Sequence, residues 1–246
     1  MSLSQSEREK GKISFGVIAT SATTEVAVRK TAYTEQYSNA QRSIVSSSVL
    51  DTSAGTGART VKLTYLTSTF TGPFTETITL NGVTAVNTTA TDICYIEKME
   101  ILTAGSLLIT QGTISLKSTV AGGGVPIGSI SAGDSQTFWA HHYIPTGITT
   151  NILSVASSND KSSIDAGAVF NLKSTDLSLA NATERQIIDS LKYFAQDSTY
   201  IRKYPYPIIV VGPARIVAYV IPDNGTNMNS RIPVLFNPIM ISKLTL

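Results

Sequence analysis

RTVKLTYL (Arg59–Leu66) alternates apolar Val61, Leu63 and Tyr65 with polar Thr60, Lys62 and Thr64. A period of two puts the two sets on opposite faces of a strand, so the apolar set marks a core-facing surface. After Gly72-Pro73 the pattern repeats in FTETITL (Phe74–Leu80), and Asn81-Gly82 follows directly. Asn-Gly supplies the positive-φ residues that a tight hairpin turn needs, so Val83–Thr88 is expected to return as the third strand of a meander. Val61, Leu63, Tyr65, Ile78 and Leu80 are the expected core residues of these strands.

Outward from this stretch, strands are expected at Glu25–Arg29, Ile93–Leu102, Leu107–Ser118, Pro126–Ile130 and Ser135–Ile144. Asn151–Val155, Ala168–Leu172, Ile208–Val211, Ala214–Ile221 and Pro233–Leu244 continue the series, with glycines and prolines at the breaks. Tyr37–Gly57 is rich in Ser, Thr, Gly and Asn and reads as a long loop. One segment departs from the β habit: Ile187, Ile188, Leu191 and Phe194 share a helical face, and Thr183 with Gln186 has the form of a capping box. Thr183–Gln196 is therefore expected to be a short helix. The fold expected is all-β, an antiparallel β-sandwich or jelly roll with one short helix in the C-terminal half. Its parts would be an arm and first strand (1–45), a β-sandwich region (46–130) and a second β-rich region packed on it (131–246).

Composition narrows the function. The 246 residues include 19 Lys+Arg and 17 Asp+Glu, a net charge of +2, and only 15% are charged against about 25% in an ordinary soluble protein. So small and evenly spread a charge does not suit phosphate-dominated binding, and no nucleic-acid partner is expected. No apolar run approaches the roughly 18 residues of a membrane span, so no membrane partner is expected either. A lone cysteine, Cys94, in an apolar stretch leaves no intrachain disulfide and reads as a buried thiol. Nothing apolar enough for a secretory leader follows the polar Met1–Lys12, which points to a cytoplasmic site of synthesis.

Motifs for chemistry are missing. Adjacent His141 and His142 would point to opposite faces of a strand, with His141 packed beside Trp139 and Tyr143. Glu97 and Glu100 fall on opposite faces, while Glu76 and Asp134 are isolated, which gives little basis for a paired-carboxylate hydrolase. No catalytic residue, metal ligand or cofactor is expected. Tyr200, Tyr204 and Tyr206, interleaved with Arg202 and Lys203, are residue types enriched at interfaces. Tyr200, Arg202, Tyr204 and Tyr206 are therefore interface candidates. Glu7, Arg8 and Lys10 join them, on a polar arm that would order against a partner.

Five elements between Asp51 and Gly147 carry a resemblance. They are GTGARTV (Gly55–Val61), ETITLNG (Glu76–Gly82), TAGS (Thr103–Ser106), AGDSQT (Ala132–Thr137) and IPTG (Ile144–Gly147). In order and spacing they resemble a β-rich family of virion structural proteins of tailed bacteriophages, over about two fifths of the chain. The resemblance implies no active site. It implies a particle component assembled in the host bacterial cytoplasm, foremost a capsid decoration (cement) protein bound to the major capsid protein or other virion proteins. Decoration proteins commonly sit at three-fold positions, which implies a homotrimer. A baseplate or tail protein and a host-surface carbohydrate-binding module are the alternatives, and a glycosidase is the enzyme reading. The helical segment at Thr183–Gln196 departs from the family pattern.

Overall fold

The computed structural model describes residues 14–16, 24–158, 168–178, 186–193, 199–222 and 234–241. Among them regular structure is all β, in antiparallel sheets without a helix. Two compact units emerge: residues 31–138 form one, and the segments before and after them form the other. One unit is thus inserted, in sequence, into a discontinuous one. The divisions expected at 45/46 and 130/131 differ from this, and the first falls inside a strand.

In the discontinuous unit β1 (Ser14–Gly16) and β2 (Val26–Ala27) come first. The inserted unit then supplies β3 (Ser43–Ser46), β4 (Ala58–Leu66), β5 (Phe74–Thr79), β6 (Val86–Asn87), β7 (Tyr95–Ala104), β8 (Ile114–Lys117) and β9 (Pro126–Ile130). Its sheets run β6-β3-β8-β9 and β5-β4-β7. Ile44, Ile114, Leu116, Ile127 and Ile130 are buried in the first sheet. Val61, Leu63, Tyr65, Ile78 and Met99 are buried in the second, and Leu80 just beyond β5 is buried too. The alternation in Arg59–Leu80 therefore has the expected structural outcome: its apolar set faces the core.

The meander does not form. Gly82 does turn the chain, with φ +60°, and Thr84 N donates to Asn81 O at 3.1 Å. The returning β6, however, pairs with β3 in the other sheet rather than with β5. The Asn-Gly turn is tied to the β3 side, because Gly82 N donates to Asp51 O and Ser46 N donates to Gly82 O. Likewise Tyr37–Gly57 is no plain loop, since it contains β3. Strand structure also begins only at Ile114, so Leu107–Thr113 is a connection instead of the first half of a strand.

Buried polar groups anchor β3 at both ends. Before it, the Arg42 guanidinium donates to the carbonyls of Ser118 (2.5 Å), Ser38 (2.9 Å) and Ile93 (3.0 Å). Beyond it, the fully buried Asp51 carboxylate accepts from Ser46 Oγ at 2.6 Å. Backbone N–H groups of Ala58 (2.9 Å), Gln111 (3.0 Å) and Gly112 (2.9 Å) complete its shell. A buried carboxylate without such donors would cost several kcal/mol, whereas here it satisfies loop amides that no ladder can reach.

The discontinuous unit resumes with β10 (His141–Ile144), β11 (Thr149–Ser158), β12 (Ala168–Asp176), β13 (Gln186–Tyr193), β14 (Thr199–Val211), β15 (Ala214–Pro222) and β16 (Val234–Ile241). One sheet runs β1-β16-β11-β14; the other runs β10-β15-β12-β13, with β2 also on β15. Ile152 and Val210 of the first share a core with Phe170, Leu172, Ile216, Ala218 and Val220 of the second, the arrangement of a β-sandwich. The two segments of the discontinuous unit that flank the insertion run side by side. Arg29 pairs with Trp139, and Val28, Ala140 and Ala218 exchange backbone hydrogen bonds of 2.9 Å.

A helix at Thr183–Gln196 is not what forms: Gln186–Tyr193 is β13, paired with β12. The register passes from Leu172↔Asp189 to Lys173↔Ile187, which leaves Ile188 as an extra residue. Such an irregularity places apolar residues at consecutive positions without a helical period. Ile187 is itself exposed rather than on a core-facing stripe.

Candidate interaction surface

β14 carries Tyr200, Arg202, Tyr204 and Tyr206 of the interface candidates. It lies at the end of its sheet, paired with β11 on one side and with no strand on the other among the described residues. Its ladder is broken: Ile152 pairs with Ile208 and Ser154 with Lys203, so Tyr204-Pro205-Tyr206-Pro207 stands opposite Leu153 alone. Proline has no N–H to give a ladder, and two prolines in one turn of pleat are accommodated where pairing is interrupted.

The bulge sorts the candidates. Tyr204 packs against the core cluster together with Ile208, and the Arg202 guanidinium lies 5.9 Å from the centre of the Tyr204 ring. Tyr206 instead projects into solvent and is 85% exposed. Tyr200 lies on the same strand opposite Ser157, but its side chain is outside those described. Glu7, Arg8 and Lys10 lie outside the described residues altogether. Beyond the bulge Val210 turns inward, whereas Ile209 and Val211 are 65% and 64% exposed. Neither residue stands out in the run IIVV (Ile208–Val211), because four consecutive apolar residues do not show which face of a strand is covered. Placement at a sheet edge is what exposes one of the two faces.

Residues considered for chemistry hold other posts. Glu76 accepts backbone N–H groups from Thr89 (2.5 Å) and Ala90 (3.1 Å), fixing a turn. Glu100 accepts from Lys62 at 2.5 Å and Lys98 at 2.6 Å. Burial opposes its ionisation, but the two ammonium groups outweigh burial and hold its carboxyl below the usual range. His141 is buried between Trp139 and Tyr143, with ring centres 5.4 Å from each, the packing that a shared strand face predicts. Among the described residues no group of three or more His, Cys, Asp or Glu is placed to hold a metal ion. No helix long and apolar enough to cross a membrane occurs among them either.

Cys94 is buried and its Sγ donates to Gln36 O at 3.2 Å. Burial pushes the thiol up to about 11, against the opposing pull of the Arg42 charge. Since only the thiolate reacts, a thiol reagent at pH 8 is expected to label the native chain at least about 100-fold more slowly than free cysteine. Labelling should become stoichiometric in denaturant. Rapid labelling of the native protein would show that the thiol is accessible.

No family model matches the chain, and no curated protein or solved structure matches it at a significant level. The surface therefore has to be read from its own geometry.

Proposed function

We propose that this chain is a structural component of a tailed-phage virion, and most concretely a capsid decoration protein that acts as a homotrimer through protein–protein contacts. The observation that carries a contact-based role is the outward side of β14. An edge strand with an apolar outer face is usually blunted by charge, because it otherwise recruits another chain. Here Arg202 and Lys203 charge only one half of the strand, and Ile209 and Val211 leave the other half apolar and exposed. The resemblance of residues 51–147 to virion structural proteins supports the phage setting. Folded protein bound to a lattice also gains stability by mass action, which suits a chain with 15% charged residues and one cysteine.

Attachment to isolated particles of the encoding phage tests this, by co-sedimentation of the full chain. The pair Ile209→Lys and Val211→Lys should fold with stability within about 1 kcal/mol of the parent, as exposed substitutions do. Its attachment should fall at least about tenfold, since two ammonium groups would meet an apolar contact. Failure of the parent chain to attach, or wild-type attachment by the pair, would overturn the proposal. A second reading has one observation in its favour: Tyr206 stands 85% exposed on β14, an aromatic ring that a host-surface sugar could stack on. Under that reading Tyr206→Ala abolishes glycan binding and leaves particle attachment unchanged.

A further inference from the structure

In the inserted unit the connections 47–57, 80–85 and 105–113 each cross from one sheet to the other, and the strand registers put all three at the same end. Ser46 pairs with Ile114, Ala58 with Ala104, Thr60 with Thr79, and Ile44 with Val86. Backbone hydrogen bonds lace them together: Gly57 N to Leu50 O, Gly105 N to Gly57 O, Leu107 N to Thr56 O and Gly82 N to Asp51 O. On this rigid base stand Val49, Leu50, Val83, Leu107, Leu108 and Ile109, all exposed, with Leu108 at 75%. We infer that this loop end is a docking surface for further copies of the same chain. The inference rests on the self-association in the reading above, not on its three-fold count, and names the surface through which copies meet.

Two observations select a second copy as the occupant. The first is electrostatic. No residue of the three connections is charged except Asp51, which is fully buried. Such a patch carries no cation to draw an anionic lipid surface or a nucleic acid, and it does not repel its own image. Arg59 and Asp134, half-buried, supply opposite charges at its margin, since Arg59 Nε donates to Gly55 O at 3.0 Å and Thr110 Oγ1 donates to Asp134 O at 3.2 Å. The second is area. From their fractional exposures the six side chains offer on the order of 600 Å², the size at which an exposed apolar patch marks an interaction site. Two facing patches would bury about 1,200 Å², the lower limit of stable specific interfaces.

Leu108 adds a conformational argument. Its φ is +62°, in the left-handed region that favours Gly or Asn, and its N–H closes a turn onto Gly105 O at 3.1 Å. A large apolar side chain there strains the fold and meets solvent, so its benefit has to come from contact with something else.

Sedimentation analysis of the full chain tests the inference. The parent should self-associate in the micromolar range or tighter. Leu108→Glu and Leu50→Glu should each weaken association about 100-fold or more, while Val125→Lys, at an exposed apolar position between β8 and β9 away from the loop end, leaves it unchanged. Leu108→Gly separates a docking role from a folding role: association should weaken while the thermal midpoint holds or rises. Should a Glu variant fail to fold, hydrogen exchange of the parent at low and high concentration still decides, because backbone protection at 48–50 and 105–109 should grow with concentration. A monomeric parent, intact association in Leu108→Glu, or concentration-independent exchange would each overturn the inference. A monomer that still attached to particles would overturn this inference and the homotrimer with it, and leave the virion reading standing. An oligomer that failed to attach would overturn the virion reading alone.

Discussion

Replacing Asp51 with alanine is expected to destabilise the inserted unit by at least about 4 kcal/mol, a large fraction of the roughly 5–15 kcal/mol of an ordinary domain. The carboxylate is the acceptor for three buried backbone N–H groups and one hydroxyl. Each N–H left without a partner costs about 1–3 kcal/mol, and Gln111 and Gly112 lie in a connection with no sheet ladder to supply another acceptor. Ser46→Ala removes a single donor and should cost only about 1 kcal/mol. Asp51→Asn is the informative intermediate, because its amide NH₂ would face donors and lose the bonds of one oxygen. Urea unfolding of the full chain, followed by hydrogen exchange at residues 47–57 and 105–113, measures all three. A loss below about 1 kcal/mol for Asp51→Ala would show that the carboxylate is not what joins these loops.

Gly105→Ala is the second large effect, expected at about 3 kcal/mol or more. A Cβ at Gly105 would lie 2.3 Å from Gly55 O and 2.7 Å from the Thr56 backbone. Those obstacles are main chain and cannot rotate away, so the hydrogen bond from Gly105 N to Gly57 O (2.7 Å) would have to open. Gly133→Ala is the matching control. Its φ is +82° but nothing lies within 4 Å of the added Cβ, so only the left-handed backbone penalty of about 1–2 kcal/mol applies. Equal losses in the two variants would mean that close approach of the two loops is not what requires glycine at 105.

These two residues also give the resemblance a physical content. Asp51 with the neighbouring GTGARTV, the Asn81-Gly82 turn and Thr103–Ser106 come from three separate stretches of sequence, yet all meet at the loop end of the inserted unit. AGDSQT reaches the same place, since Thr110 Oγ1 donates to Ser131 O and Gly133 N donates to Thr110 O. The motifs are a structural joint. That accounts for the Gly, Asp and Thr these motifs contain, whose side chains and close backbone approaches hold the loops together.

What could be read from the residues alone was whatever depends on a period of two. Val61, Leu63, Tyr65 and Ile78 declare a buried face through their own neighbours, and Pro126–Ile130 and Ala214–Ile221 mark strands close to their actual limits, because alternation is a local property of the chain. The aromatic packing of His141 between Trp139 and Tyr143 followed from the same rule. Partnership between strands is not local. Asn81-Gly82 specifies that the chain turns, but the hydrogen bonds to Asp51 and Ser46 decide that it turns into the other sheet. Ile187 and Ile188 imitate a helical face because a register irregularity against β12 uses up one residue, which no window on that segment can reveal. Arg42 and Asp51 look like ordinary polar residues of a Ser/Thr-rich stretch until folding surrounds them with carbonyls and amides from connections up to 76 residues away. Exposure of Leu108, Ile209 and Val211 was likewise settled only in three dimensions. An apolar side chain carries the same sequence signal whether a sheet covers it or ends beside it, so composition determined a β protein with an apolar surplus, and tertiary structure decided where that surplus meets solvent.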